Sequence, residues 1–268
     1  MWLDSHCHVT APEFDADRPE VLARAFAAGV EAMVAVGAGY GLESNGQAVA
    51  LALAEPRVFA AVGVHPHDAK LWDERARLAV RGWLGSTRVV AVGECGLDYH
   101  YDHSPRELQR RAFAEQLALA RELERPVSIH VRDDGPAAYE DLLAIWRAEG
   151  GGALEGVLHC YTGTLEFARR ALEHGLWVSF SGILTFKRDR GLREVARGLP
   201  LERLLIETDA PFLAPEGLRG RRNEPLQVAR VGETLSTLHG VASDEVARIT
   251  SANARRLFRL PAPIARTT

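Results

Sequence analysis

The sequence predicts a (β/α)₈ barrel, and three observations support this fold class. Eight short apolar, β-branched segments alternate with amphipathic helical segments along the chain. The length of 268 residues is close to the roughly 250 residues that such a barrel uses. Histidine and acidic residues recur where the predicted strands end, which is the face on which barrels build their active sites.

Each predicted strand is followed by a helical pattern. The strands are predicted at Trp2–His6, Ala32–Val36, Phe59–Val64, Val89–Gly93, Val127–His130, Gly156–His159, Trp177–Ser181 and Leu204–Glu207. The helices are predicted at Arg18–Ala28, Glu43–Ala54, Ala76–Leu84, Pro105–Glu122, Ala137–Arg147, Leu165–Glu173, Arg190–Arg197, Leu226–His239, Ser243–Thr250 and Ala252–Phe258. The alternative, a doubly wound open sheet, lacks the glycine-rich phosphate loop that would follow the first strand.

Composition favours one globular domain, residues 1–260, with a disordered tail at 261–268. The chain is 47% hydrophobic and 25% charged, which is ordinary for a protein with a sizeable core. No apolar run approaches the ~20 residues that span a bilayer, and no secretory signal opens the sequence. We therefore expect a cytoplasmic protein without membrane attachment or an obligate protein partner. A net charge of −4 disfavours a generally basic nucleic-acid binder but leaves room for local basic patches.

The three cysteines, Cys7, Cys95 and Cys160, do not predict a disulfide framework or a thiolate metal site, because their number is odd and no CxxC spacing occurs. Each lies beside a residue that we assign to a metal site. Since neighbours on a strand point to opposite faces, we expect the thiols to pack between barrel and helices.

A metal site is predicted at the strand ends. His6 and His8 are separated by one residue at the end of the first strand, so both imidazoles lie on one face and can bind the same ion. A single histidine or carboxylate in such a place is more often structural, but six that converge on one rim are hard to explain that way. Imidazole and carboxylate without thiolate suit Zn²⁺, Mn²⁺ or Fe²⁺, and Mg²⁺ less strongly. The other four candidates are Glu94, His130, His159 and Asp209.

Four histidines and two carboxylates are many for one ion but natural for two. Two divalent ions ~3.5–4 Å apart can activate a water between them and stabilise charge on a phosphoryl or acyl oxygen. The only lysines are Lys70 and Lys187, so no carbamylated lysine is available near the fourth strand, and Glu94 is the predicted bridge. Asp209 can bind a metal and orient or deprotonate the water.

Short motifs along the chain also resemble a known family. In chain order they are Asp4-Ser5-His6-Cys7-His8, Gly63-Val64-His65-Pro66-His67, Gly93-Glu94-Cys95-Gly96-Leu97-Asp98-Tyr99, Pro126-Val127-Ser128-Ile129-His130-Val131-Arg132-Asp133, His159-Cys160-Tyr161-Thr162-Gly163, Gly182-Ile183-Leu184-Thr185-Phe186-Lys187, Glu207-Thr208-Asp209-Ala210-Pro211, Arg222-Asn223-Glu224-Pro225 and Ser251-Ala252-Asn253-Ala254-Arg255-Arg256-Leu257-Phe258. Together they resemble the TatD family of metal-dependent deoxyribonucleases, from residue 4 to residue 258.

The resemblance implies a barrel of the amidohydrolase kind with two divalent ions. It implies a DNA substrate, preferably single-stranded, and in several family members 3′→5′ exonuclease action. The positions that match the family's metal ligands are His6, His8, Glu94 as the bridge, His130, His159 and Asp209.

Further residues are candidates for contacts with the substrate. His65 ends the third strand and could contact the phosphate, protonate the leaving oxygen, or only hydrogen bond to a ligand. Glu207 and Asp98 are expected behind the ligands. Basic and aromatic side chains on the rim could hold phosphates or stack bases, although Phe212 is expected in the core. The predicted substrate contacts are Arg132, Lys187, Arg222 and Tyr161, with Tyr99 as a further rim aromatic.

Two other functions compete with a nuclease. The same metal-activated water attacks carbonyl carbon as well as phosphorus, so an amide or ester hydrolase, such as an aminoacyl-tRNA deacylase, is the alternative. A catalytically silent barrel would be expected to have lost ligands, and none of the six is missing.

Overall fold

The computed structural model describes residues 1–150, 152, 154–188 and 191–262. In this part of the chain, eight parallel strands follow one another in a single sheet in sequence order. The first and last strands meet at one end, where the Asp209 N–H donates to the His6 carbonyl at 3.0 Å and the Ser5 hydroxyl donates to the Ile206 carbonyl at 3.0 Å. The sheet is therefore a nearly closed barrel, and the predicted (β/α)₈ fold is confirmed.

Strands and helices alternate as the sequence predicts. The strands are β1 (Trp2–Cys7), β2 (Val30–Val36), β3 (Val58–Val62), β4 (Val89–Asp98), β5 (Val127–Arg132), β6 (Gly156–Leu158), β7 (Leu176–Phe180) and β8 (Leu204–Ile206). The helices are α1 (Arg18–Ala27), α2 (Ser44–Ala54), α3 (Glu74–Leu84), α4 (Arg106–Glu122), α5 (Ala137–Gly150), α6 (Leu165–Glu173), α7 (Leu192–Arg197), α8 (Val228–His239) and α9 (Ser243–Phe258).

Most elements differ from the prediction by one to three residues at one or both ends, and the two larger differences are in α9 and β4. The two C-terminal helical segments form the single helix α9. Strand β4 continues past Gly93 to Asp98, where it pairs with Arg132 of β5. The segment from Gly93 to Asp98, with two glycines and two acidic residues, does not have the apolar character of an ordinary strand. Burial of the whole strand within the barrel overrides that weak propensity.

The barrel interior is closed at its N-terminal end by apolar side chains. Val34, Phe59 and Trp177 belong to an inner cluster that also contains Phe258 of α9. A second, larger cluster fills the layer between barrel and helices, to which β2 contributes Met33. Because alternate residues of a strand face opposite sides, each strand serves both layers. The open end of the barrel is thus the mouth, formed by the C-terminal strand ends and the loops that follow them.

The cysteines follow the expected packing at two of three positions. Cys7 and Cys95 are fully buried in the layer between barrel and helices. Cys160 is the exception and is partly exposed, with its Sγ 3.2 Å from the Ser181 hydroxyl. Strand β6 ends at Leu158, so the alternation of strand faces no longer applies at Cys160.

No helix in the described ranges is long and apolar enough to cross a membrane. Of the tail predicted at 261–268, residues 263–268 lie outside the described residues, so the expected disorder there stays a prediction.

The close contact of β4 with β5 leads to a stability prediction. Gly96 has φ +145°, and a Cβ there would overlap the His130 carbonyl oxygen. Gly96→Ala should therefore lower the free energy of unfolding by about 3 kcal/mol. Denaturant titration followed by circular dichroism measures this change.

The matched control is Gly82→Ala in the last turn of α3, where nothing lies within 4 Å of the added Cβ. It should raise stability by about 0.5–1 kcal/mol, since alanine is the better helix former. Equal effects of the two substitutions would contradict the role assigned to the strand contact.

Candidate metal centre

The mouth of the barrel brings together all six predicted ligands. Their donor atoms fall into groups whose members lie within 4.8 Å of one another. They come from β1, β4 and β5 and from the segments directly after β1, β6 and β8, and most are almost completely buried. The three groups are His6, His8 and Asp209; His6, Glu94 and His159; and His65, Glu94 and His130.

The carboxylate of Glu94 lies between two sets of donors. Its Oε2 faces His6 and His8, whose Nε2 atoms lie 3.5 and 3.6 Å away. Its Oε1 faces the other way, 2.7 Å from His159 Nε2 and 2.9 Å from His130 Nδ1. A carboxylate with one oxygen directed at each donor set has the geometry of a bridging ligand.

The donor set on the Oε2 side has the dimensions of a metal site. His6 Nε2 lies 3.3 Å from His8 Nε2, and Asp209 Oδ1 lies 3.8 and 3.5 Å from these two atoms. Four donors about 2.1 Å from a tetrahedral ion would be about 3.4 Å apart. Imidazole nitrogen with carboxylate oxygen is also a donor set that suits Zn²⁺, Mn²⁺ or Fe²⁺. The residues present therefore fit a divalent cation.

In His159 and His6, the nitrogen that the imidazole presents is set by a hydrogen bond at its other nitrogen. His159 Nδ1 lies 3.2 Å from Glu207 Oε1, which also accepts the Cys160 N–H at 2.6 Å. His6 Nδ1 lies 3.3 Å from the Ser128 hydroxyl. In both residues Nε2 is left to face the centre of the mouth.

His130 is oriented in the opposite sense. Its Nε2 lies 3.0 Å from Asp98 Oδ2, so that Nδ1 faces Glu94. The same Asp98 oxygen lies 2.9 Å from His67 Nε2. Asp98 is fully buried, and Gln109 accepts its backbone N–H and donates to its carbonyl. Asp98 therefore positions the His130 ring.

The two central carboxylates are anionic at neutral pH. Burial by itself would raise the pKa of Glu94, but the adjacent His159 and a hydrogen bond from His130 hold it well below its usual range. Burial opposes ionisation of Asp209 in the same way, and a hydrogen bond from His8 brings its pKa below the ordinary value. Two buried anions are thus available to neutralise bound cations.

His65 is a hydrogen-bond donor in this arrangement. Burial lowers its pKa to about 4, so the ring is neutral. Its Nδ1 accepts the backbone N–H of His67 at 3.1 Å, which leaves the proton on Nε2. That Nε2 lies 3.3 Å from Glu94 Oε1. The geometry favours donation to Glu94 or to a substrate oxygen over ligation of a metal.

Buried amide side chains hold the strand ends in place, and the sequence analysis missed them. Gln116 of α4 accepts the Val64 N–H at 2.8 Å and donates back to its carbonyl, just before His65. Asn223 donates to the carbonyls of Thr208 and Phe212 on either side of the Asp209 turn. A polar residue within the apolar face of a predicted helix, as Gln116 is, was the available signal.

Two of the predicted basic contacts lie free on the rim. Arg132 is exposed at the end of β5, and Lys187 is exposed in the loop after β7. Arg222 differs, because its two Nη atoms each donate to an oxygen of Asp17 at 2.7 Å and one also reaches Glu224. Its guanidinium links two loops, so a phosphate would have to displace this ion pair.

The predicted positions of the rim aromatics require correction. Tyr161 is buried rather than on the rim, and its hydroxyl donates to the Thr164 carbonyl at 2.6 Å. Tyr99 is likewise buried, with its hydroxyl on Asp141. Phe212, expected in the core, is 46% exposed. Because these residues lie in turns beyond the strand ends, strand alternation gave no information about their direction.

The barrel and the histidine and carboxylate donors at its mouth define the chain as a metal-dependent hydrolase. The family model described as TatD related DNase matches residues 3–259. The chain belongs to the TatD family.

Relatives of known name agree with this assignment. The chain is 41% identical to the uncharacterized metal-dependent hydrolase YabD of Bacillus subtilis over 260 residues, which are 97% of this chain and 100% of that protein. It is 39% identical to the 3′-5′ ssDNA/RNA exonuclease TatD of Cronobacter sakazakii over 261 residues, 96% of this chain and 97% of that protein. The crystal structure of YjjV, a TatD homolog from Escherichia coli K12, superposes with a TM-score of 0.89 at 32% identity and covers 97% of this chain and 98% of that one.

The contact of Asp98 with His130 predicts its contribution to metal binding. Asp98→Asn removes the negative charge that fixes the His130 ring and should weaken metal binding by ~10–100-fold. Competition with a chromophoric chelator measures the affinity.

The matched control is Asp134→Asn, because Asp134 also lies 2.9 Å from an imidazole nitrogen, that of His100, but on the exposed rim. This control should bind metal as the unmodified protein does. An unchanged affinity in Asp98→Asn would show that the His130 ring keeps its position without the carboxylate.

Proposed function

We propose that this protein is a deoxyribonuclease that hydrolyses phosphodiester bonds of single-stranded DNA from the 3′ end. The observation that carries the proposal is the Glu94 carboxylate, whose two oxygens face separate donor sets at the mouth of the barrel. A pair of adjacent cations is suited to the charge that develops on phosphorus in an in-line displacement. The name of the Cronobacter relative supports the choice of substrate.

Two divalent ions, Zn²⁺, Mn²⁺, Fe²⁺ or Mg²⁺, are the proposed cofactors. When bound, they would lower the pKa of a water molecule and neutralise charge on the phosphate. The donors proposed for the first are His6 Nε2, His8 Nε2, Asp209 Oδ1 and Glu94 Oε2. Those proposed for the second are Glu94 Oε1, His130 Nδ1 and His159 Nε2.

The protein's own groups then have separate tasks. Asp209, held anionic at neutral pH, accepts the proton of the attacking water. The Nε2–H of neutral His65 donates to Glu94 or to a phosphate oxygen. Arg132 and Lys187, exposed on the rim, bind the phosphates of the strand. Arg222 is assigned to the Asp17 ion pair, and Tyr161 to the core, so neither is retained as a substrate contact.

Degradation of 5′-labelled single-stranded DNA tests the proposed function. We expect stepwise shortening from the 3′ end that requires a divalent metal and stops with EDTA. Asp209→Asn should lower kcat/KM by ~10²–10⁴-fold, because it removes the proton acceptor and one donor. Denaturing gels of time courses with Mg²⁺, Mn²⁺ and Zn²⁺ give the measurement, and 3′-labelled DNA gives the polarity.

An aryl ester and an aminoacyl-tRNA serve as comparison substrates in the same assay. Metal-dependent hydrolysis of an acyl substrate without any DNA cleavage would move the function to the amide and ester hydrolases. The cations would then stabilise charge on a carbonyl oxygen in place of a phosphate oxygen.

The rim arginine gives a second test of the nuclease. Arg132→Ala should raise KM for single-stranded DNA by about 10-fold and reduce the dependence of log KM on log salt concentration by about one phosphate contact. Its guanidinium has no carboxylate partner in the described part of the chain.

The matched control is Arg248→Ala on α9, far from the mouth and paired with Glu245. It should leave both KM and the salt dependence unchanged. The same KM in Arg132→Ala and Arg248→Ala would remove Arg132 from the substrate contacts.

A further inference from the structure

Two aromatic pairs flank the metal centre on opposite sides of the mouth. The first is Tyr40 with Phe212, in the loops after β2 and β8, and the second is Tyr101 with His103, in the loop after β4. In a barrel of eight sequential strands, β4 lies across from β8. The two pairs therefore face each other across the donor atoms that Glu94 connects.

The first pair lies against the Oε2 side of the centre. The rings of Tyr40 and Phe212 are nearly parallel, with centroids 6.4 Å apart and an interplanar angle of 10°. Both rings meet the His8 ring edge-on, at 5.9 and 6.0 Å. The Tyr40 hydroxyl donates to Glu13 at 3.4 Å, which holds the ring in place.

The second pair lies against the Oε1 side. The rings of Tyr101 and His103 are parallel within 2°, with centroids 5.7 Å apart. His67 meets both edge-on and lies 4.3 Å, centroid to centroid, from His65. The Arg132 guanidinium lies over the Tyr101 ring at 4.8 Å, so this side also offers a cation to a phosphate.

The exposure of these rings calls for an explanation. Among the described residues, the exposed large hydrophobic side chains include only two aromatic rings, Tyr101 at 48% and Phe212 at 46%. Both lie at the mouth, one in each pair. Exposed apolar side chains that are grouped in one place mark interaction sites more often than scattered ones do, and flat rings beside a phosphate-binding centre match the shape of nucleobases.

We propose that the two pairs stack the bases of the two nucleosides that flank the scissile phosphate, one base on each pair. This inference rests on the proposed nuclease function and specifies how its substrate is held. A base must be unpaired to lie on such a ring, so the pairs select single-stranded DNA. Since every base has an aromatic face, they do so without sequence preference.

Binding measured with abasic DNA tests the stacking. The 5′-fluorescein single strands have all bases, lack the base of the last nucleotide, or lack the base of the one before it. Phe212→Leu and Tyr101→Leu remove an aromatic face but keep apolar bulk beside the histidines. Both are made in the metal-loaded protein, the terminal linkages of the DNA are hydrolysis-resistant phosphorothioates so that the DNA is not consumed, and metal content is measured for each variant. The control is Leu53→Ala, an exposed apolar side chain on α2.

Each leucine variant should bind the complete strand ~10-fold more weakly. To one of the two abasic strands it should bind as tightly as the background protein does, because the base that the variant no longer holds is already missing. The abasic strand on which the substitution has no effect should differ between the two variants. Leu53→Ala should bind as the unmodified background does.

Binding of the complete strand that is unchanged in both leucine variants would overturn the stacking. So would equal weakening on all three strands, since this result indicates no contact with a particular base. The outcome does not depend on hydrolysis. If the unmodified protein cleaves no DNA, the proposed function fails, while the binding comparison still decides whether the pairs hold bases.

Discussion

The buried carboxylate of Glu94 is the group on which the geometry of the mouth depends. It is 2% exposed, and an ionised carboxylate in such surroundings costs several kcal/mol unless it is compensated. Its partners are imidazoles of His6, His8, His65, His130 and His159. These side chains come from the ends of β1, β3, β5 and β6, so compensation of one charge fixes the relative positions of four strand ends. The contacts that assemble the site therefore also help to hold the barrel closed at its mouth.

An imidazole compensates a carboxylate only when a nitrogen that carries a proton faces it, and this requirement extends the constraint outward. Glu207 and Asp98 set the rings of His159 and His130. Hydrogen bonds between the Gln109 side chain and the Asp98 backbone in turn fix Asp98. These buried hydrogen bonds hold each histidine ring in one orientation. The loops beyond the strand ends, where the exposed aromatic pairs lie, are not bound by this constraint. Their residues can therefore change which substrate is bound while the centre stays constant.

The sequence was sufficient for the barrel and for the positions of the six candidate ligands, because both follow from short-range rules. Period-two alternation places His6 and His8 on one face, and parallel strands bring their C-terminal ends to one rim. The rim itself follows from long-range pairing, which local patterns do not contain. Arg222 finds Asp17 across a separation of 205 residues. Tyr161 turns inward, and Tyr40, which no motif contains, reaches Phe212 only because the loops of β2 and β8 flank the same strand.

The charge distribution explains how an acidic protein of net charge −4 can still be suited to a polyanion. Glu94, Asp98 and Glu207 lie fully or almost fully buried at the centre, and with Asp209 they would repel a phosphate. Two bound divalent cations would offset these four negative charges, and the rim groups such as Arg132 would then make the local field positive. For the proposed DNA substrate, affinity for metal and affinity for the strand would then be coupled, and by linkage each would raise the other. A basic surface is unnecessary under this arrangement, since the attraction is confined to the mouth where the reacting phosphate has to lie.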